Sequence, residues 1–102
     1  NIEELLAAGH QPNHHFRGHK ADLYEGGHRV PFLVRWPARV RPGSTSSHIV
    51  GQIDFMATFA DMLDAPLPDT AGEDSVSFLP VLLGDDDAAQ TARTSIISQS
   101  IN

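Results

Sequence analysis

Three features of the sequence predict an α/β fold: a near-continuous apolar run at residues 30–36, an amphipathic stretch at 54–64 closed by two prolines, and a second short helical pattern at 77–83 followed by isoleucines within 94–101. In chain order they read strand, helix, helix, strand, behind a long histidine-rich loop, which suits strands covered by helices. Val30, Phe32, Leu33 and Val34, extended by Trp36, are apolar at consecutive rather than alternate positions, the mark of a strand buried on both faces as in a parallel sheet. One such strand cannot make a sheet, so its neighbours are expected to come from elsewhere. The 102 residues suffice for one small domain with a modest core.

From the N-terminus, residues 2–8 read as a short helix. Ile2, Leu5 and Leu6 share a face, Glu3 and Glu4 complement the helix dipole in the first turn, and Gly9 fits the stop. Periodicity is then lost from residue 10 to residue 27, where Pro12, Gly18, Gly26 and Gly27 punctuate a loop. His10, His14, His15 and His19 crowd there, with His28 just after. A loop this long in a compact domain is often functional. Pro31 belongs at the start of the strand, where a missing ladder donor is tolerated, and Pro37 ends it. Residues 38–47 read as a surface connection. In the 54–64 helix, Met56, Phe59, Ala60 and Leu63 follow i, i+3, i+4, i+7 spacing. Asp54 is placed to cap its N-terminus, and Pro66 and Pro68 forbid continuation. In the 77–83 helix Ser77 is the expected cap, Pro80 falls in the tolerant first turn and Gly84 is the stop. Asp85, Asp86 and Asp87 form a solvated acidic turn. Residues 94–101 are the candidate last strand, with Ile96, Ile97 and Ile101 as its apolar members.

The formal net charge of −6 makes nucleic acid and anionic membrane surfaces poor partners, since both need a basic face. No run approaches the roughly 20 apolar residues of a membrane-spanning helix. Cysteine is absent, so these residues offer no disulfide, thiolate metal site or cysteine nucleophile. The chain opens at Asn1 without methionine or a signal pattern and closes at Asn102 without a tail signature, so it is expected to be a piece of something longer.

The segment carrying the most information is Phe16-Arg17-Gly18-His19-Lys20-Ala21-Asp22-Leu23-Tyr24-Glu25-Gly26-Gly27-His28-Arg29-Val30-Pro31-Phe32. It resembles the type I sulfatase (arylsulfatase) segment R-G-x-K, three residues, Y/W-E-G-G-x-R-V-P. The likeness continues through Leu33-Val34-Arg35-Trp36-Pro37 and at Ile53-Asp54-Phe55-Met56-Ala57-Thr58-Phe59, where the family has an Asp and a Pro-Thr ahead of a helix. It ends at Ser75-Val76-Ser77-Phe78-Leu79-Pro80-Val81-Leu82-Leu83-Gly84, close to the family's G-x-S-L-x-P-L-L-x-G. Several linked motifs in register are far more specific than any one. The departure at Ala57-Thr58 touches only the helix start.

The resemblance implies a fragment from the C-terminal half of an alkaline-phosphatase-like α/β sandwich, whose sheet is mixed and mostly parallel. On that basis residues 1–102 are a partial catalytic domain: residues 1–29 hold a helix and an active-site loop, 30–84 the strand, helix and helix, and 85–102 an acidic loop and an edge strand. The implied activity is hydrolysis of a sulfate ester, of a small molecule or a sulfated carbohydrate, and the implied partner of the fragment is the rest of the sulfatase domain. Export to the periplasm or exterior is implied by resemblance alone, and the compartment is otherwise open.

Cleavage of a sulfate ester loads charge onto oxygen, and a fixed cation beside the sulfate stabilises it in a dry pocket. Lysine suits that role as a compact point charge on a long stem. Lys20 falls at the family's sulfate-contacting lysine and is the one residue carried over as catalytic. Without the motif it would read as a solvated surface lysine. Gly18 lets the backbone approach an anion. His19, next to Lys20, is a candidate substrate contact. Glu25 and Arg29 can be a pocket pair or a brace for the turn, and the brace is favoured. Gly26 and Gly27 are expected to supply backbone angles that side chains resist, and Tyr24 to pack. The clustered histidines fit no standard zinc spacing and read as a polar loop rather than a metal site. The aspartate run lacks the spaced ligands and glycine of a calcium loop.

The family's nucleophile is a formylglycine made from Cys or Ser in C/S-x-P-x-R, and its calcium is held by acidic residues and an Asn, partly from a D-N-G motif. Neither motif occurs here. Calcium, which serves as Lewis acid and template for sulfate, and the formylglycine therefore belong to other sequence, and the fragment alone is expected to be inactive. The second interpretation is a catalytically dead sulfatase-like module that binds sulfated glycans or other anions through Lys20, Arg17 and the histidines. Phosphatase or phosphonate chemistry is a third, against which the paired R-G-x-K and Y-E-G-G-x-R-V-P motifs argue.

Overall fold

A computed structural model describes residues 1–99. The chain divides into two compact units. The first comprises Asn1–Leu33 and the described part of Ile97–Asn102, and the second is Val34–Ile96.

In the first unit, α1 (Ile2–Ala7) is capped by the Asn1 side chain, whose Oδ1 accepts from the Glu3 N–H at 3.1 Å. It stops one residue short of the expected end. Gly9, at φ 80°, lets the chain turn away. The loop leads to α2 (Glu25–His28), a single turn that places Gly26 and Gly27 inside a helix.

The second unit centres on α3 (Phe55–Met62) and α4 (Leu79–Leu83). A turn of 3-10 helix at Gln52–Asp54 precedes α3, and another at Ala88–Thr91 follows α4. Gly84 ends α4 in the left-handed region at φ 71°, as its position in the sequence anticipates. Ser77 does not cap α4 at the expected boundary, because the helix starts two residues later. Its hydroxyl still accepts from the Leu79 N–H at 3.2 Å while donating to Asp61 at 2.7 Å.

The core of this unit is small. Phe78, Ala89 and Ala92 are its buried apolar residues, and the Phe55 ring stacks on Phe59 at 5.9 Å and meets Phe78 edge-on at 5.6 Å. Asp54 and Thr58 are the fully buried polar residues. Thr58 Oγ1 donates to the Asp54 carbonyl at 2.7 Å and accepts from the Phe78 N–H at 3.1 Å, pinning α4's approach to the first turn of α3. Ser75 Oγ accepts from the Ala57 N–H at 2.9 Å alongside.

The expected strands do not form. Among the described residues there is no β-strand. Residues 30–36 run without ladder partners, and Leu33, expected to be buried, is 90% exposed. A strand is a paired object whose N–H and C=O groups need a neighbour. With none among the described residues, no ladder forms, and Val30, Phe32, Leu33 and Val34 stay exposed. Trp36, expected to extend the strand, instead opens a turn, its carbonyl accepting from the Arg39 and Val40 N–H groups at 3.0 and 2.8 Å. Residues 94–99 likewise form no strand, and the rest of that expected strand, through Ile101, lies outside the described residues. Among the described residues no helix is long and apolar enough to cross a membrane.

Candidate functional site

Lys20 sits at a tight turn in the first unit. The Asp22 N–H donates to the His19 carbonyl at 2.9 Å, and the His19 N–H donates back to Asp22 Oδ2 at 2.9 Å. The two bonds close a four-residue turn, His19-Lys20-Ala21-Asp22, with Lys20 at its second position. Ala21, at φ 82°, takes the third position in the left-handed region that type II turns usually give to glycine. Lys20 is exposed, and its ammonium has no hydrogen bond or ion pair among the described residues.

The turn is anchored on both sides. Gly18 precedes it at φ 83°, in the left-handed region. The Asn13 side-chain amide donates to the Gly18 carbonyl at 2.7 Å, and the same nitrogen lies 2.8 Å from His19 Nδ1. On the far side α2 packs its glycines against the turn. The Gly26 N–H donates to the Arg17 carbonyl at 2.8 Å. A Cβ on Gly26 would lie 2.1 Å from the Gly18 oxygen, and one on Gly27 2.0 Å from the Asp22 oxygen. Neither glycine has a positive φ. They are required for close approach of two backbones, not for the unusual angles expected of them.

Arg29 Nη1 bonds Glu25 Oε2 at 2.8 Å along α2, with both side chains more than half exposed. Arg29 also lies 4.8 Å from the centre of the Phe16 ring. This is the bracing role favoured for the pair. Tyr24 packs as expected, with the Arg17 guanidinium 3.7 Å from its ring centre. His14 and His15 meet through their Nδ1 atoms at 2.6 Å on the exposed part of the loop. No three His, Cys, Asp or Glu side chains come together to hold a metal ion among the described residues.

Among the described residues the one deeply buried charge lies in the second unit. Asp54, expected to cap α3, makes no capping bond to that helix. Its carboxylate, 1% exposed, turns back to accept from the Gly51 N–H at 2.8 Å and the Val76 N–H at 3.0 Å. Arg93 meets it side-on, with Nη2 to Oδ1 at 2.7 Å and Nε to Oδ2 at 3.0 Å. Burial, the largest single influence, pushes the Asp54 carboxyl up. The Arg93 guanidinium and the two backbone N–H groups together outweigh it and hold the group below the ordinary carboxylate range. Arg93 is raised in turn, first by its bond to Asp54. Nη2 also donates to the Asp74 carbonyl. With every lone pair aimed at a donor inside the unit, this is an internal tie.

Sequence reasoning missed Asn13, Asp22 and Arg93. Asp22 lies in the three-residue spacer of the motif, where a turn-closing carboxylate three residues after His19 is a legible pattern. Asn13 and Arg93 act at sequence separations of five, six and thirty-nine residues, which carry no local signal.

Residues 13–97 match the family described as N-sulphoglucosamine sulphohydrolase, C-terminal. An N-acetylgalactosamine-6-O-sulfatase of Bacteroides thetaiotaomicron is 44% identical over 94 residues, covering 92% of this chain and 18% of that protein. An arylsulfatase of Hemicentrotus pulcherrimus is 44% identical over 67% of this chain and 12% of its own length. A steryl-sulfatase of Rattus norvegicus is 38% identical over 82% of this chain and 15% of its own length. The chain thus spans less than a fifth of these curated relatives. No solved structure matches.

Proposed function

The chain belongs to the sulfatase family, within its C-terminal region, and from that premise we propose that the protein carrying it hydrolyses sulfate esters, with Lys20 as a cationic contact to the sulfate. The observation that carries this reading is the exposed, unpaired Lys20 at the tip of a turn tied to its loop by four polar contacts, inside the segment matched by the family. A lysine meant only for solubility needs no such scaffold. One held by a closed turn loses less freedom when it meets an anion.

Calcium and a formylglycine nucleophile are part of the reading, supplied by other sequence. The described residues gather no ligand set for a metal, so no step here runs through it. What this chain contributes is charge beside the sulfate oxygens, where positive potential counts most as the leaving oxygen takes up electrons. The relatives' names cover sugar and steroid sulfates, so the class of substrate is the sulfate ester.

The finer fold belongs to the same reading. Residues 30–36 hold the apolar run and form no strand among the described residues, and in the whole sulfatase domain they would enter a mostly parallel sheet whose other strands lie outside this chain.

The test is hydrolysis of an aryl sulfate by the protein that carries the chain. Turnover should be present and fall about 100-fold or more in Lys20→Ala, the scale of one lost electrostatic contact to the transition state. An intact protein that binds sulfated glycans without turnover would instead establish the non-catalytic binding module.

A further inference from the structure

We infer that Asn13 is a positioning residue that fixes the His19 imidazole as a hydrogen-bond donor through Nε2, so that the group beside Lys20 serves an acceptor oxygen of the bound ester. The inference rests on two contacts of one atom. Asn13 Nδ2 lies 2.7 Å from the Gly18 carbonyl oxygen. That oxygen can only accept, so the amide nitrogen, not the amide oxygen, must face it. A flipped amide would set two oxygens against each other. With the amide orientation fixed, its second N–H is aimed at His19 Nδ1, 2.8 Å away.

A ring nitrogen that accepts a hydrogen bond carries no proton, so in the neutral ring the proton is on Nε2. The Asn13 amide spends both hydrogens here. One holds the chain at Gly18, immediately before the turn, and the other selects the tautomer of the residue that opens it. His19 is half-buried, its main-chain N–H and C=O are both committed to Asp22, and Nε2 has no partner among the described residues. Ring and backbone are thus fixed, with one donor left over. The sulfate oxygens, the ester oxygen and a sugar hydroxyl all present lone pairs that a donor can take.

The assignment of the tautomer stands on geometry. Only its use toward an ester rests on the sulfatase reading, and the experiment separates the two. In the whole protein, labelled uniformly with nitrogen-15 and with the His19 ring signals identified by their loss in His19→Gln, Nδ1 is expected to show the shift of an unprotonated ring nitrogen and a scalar coupling to the Asn13 side-chain nitrogen. A protonated Nδ1 would overturn the inference. Asn13→Asp, which can only accept, should move the proton to Nδ1, and an unchanged tautomer in that variant would also overturn it. If that variant does not fold, the coupling in the wild-type protein decides. In kinetics with an aryl sulfate, Asn13→Asp and His19→Ala should raise KM by up to about tenfold, more than they lower kcat, while His19→Gln, which restores a donor, should recover most of the loss. An active protein whose KM ignores all three substitutions would overturn the substrate role. An inactive parent protein would count against the sulfatase reading, with the tautomer result still deciding the Asn13–His19 pairing.

Discussion

Arg93 grips Asp54 side-on, Nη2 on Oδ1 and Nε on Oδ2, across thirty-nine residues of chain. The pair has planar, two-bond geometry, the strong form of an arginine–carboxylate contact. Its partners at Gly51, Asp74, Val76 and Ser95 make it the junction of three stretches of the second unit, 51–54, 74–76 and 93–95. Breaking a buried pair from one side is costly because the remaining group is left uncompensated. Asp54→Ala should therefore cost about 3–5 kcal/mol in urea unfolding. Arg93→Met should also destabilise, and the double variant should cost less than the sum of the two, as a double-mutant cycle would show.

Acid should loosen the same junction. The Asp54 carboxyl titrates lower in the folded chain than in the unfolded one. Its contribution is therefore fully present above the unfolded value near ~4 and is lost as pH falls through the folded value. Urea midpoints measured from pH 7 downward should drop below about pH 4. Asp54→Asn, which lacks the titrating group, should be less stable at pH 7 and should lack this component of the acid response. An identical acid profile in the two proteins would remove Asp54 from the explanation.

Gly26 and Gly27 admit no side chain because the backbone oxygens they would strike belong to the Lys20 loop. Gly27→Ala should cost about 1–3 kcal/mol by forcing α2 and the turn apart. It should also lower aryl sulfate turnover more than it lowers global stability, since the displaced atoms are those flanking Lys20. Gly43→Ala serves as the comparison, because open space surrounds the added methyl there and only its positive φ resists.

Ala21 bears a left-handed φ that alanine resists by about 1–2 kcal/mol. Ala21→Gly should raise the urea midpoint slightly, the relief of strain exceeding the added freedom of the unfolded chain. Ala21→Val, with its branched Cβ, should lower it and weaken the Lys20 turn. A valine variant as stable as the parent would mean that the turn has another conformation in solution.

Helices α1, α3 and α4 were legible because their signals are local: Glu3, Glu4 and Gly9 mark α1, the 3.6-residue apolar spacing marks α3, and Gly84 stops α4. The single turn of α2 was not, because its paired glycines read as part of the loop at 10–27, and the Asn1 cap was not read either. The position of Lys20 was legible through linked motifs rather than through physics. The strand expected at 30–36 is legible as a pattern but absent as structure, because no partner strand is found among the described residues, and an apolar run states only what a segment would bury if it could. Asp54 misled for the opposite reason. An aspartate before a helix is most economically read as its cap, and only a distant arginine and the Val76 backbone explain why the carboxylate turns the other way.

During synthesis the ribosome delivers Asp54 well before Arg93. At ordinary elongation rates the thirty-nine additions from Phe55 to Arg93 take roughly 2–8 s. Throughout that interval the carboxylate lacks the guanidinium that meets it in the fold and is better left in water, so the closed arrangement of the second unit cannot yet form around it. Its folding is therefore timed by the appearance of one late residue. A nascent chain arrested before Arg93 should stay open to protease, and one arrested far enough beyond it for the arginine to clear the exit tunnel should not.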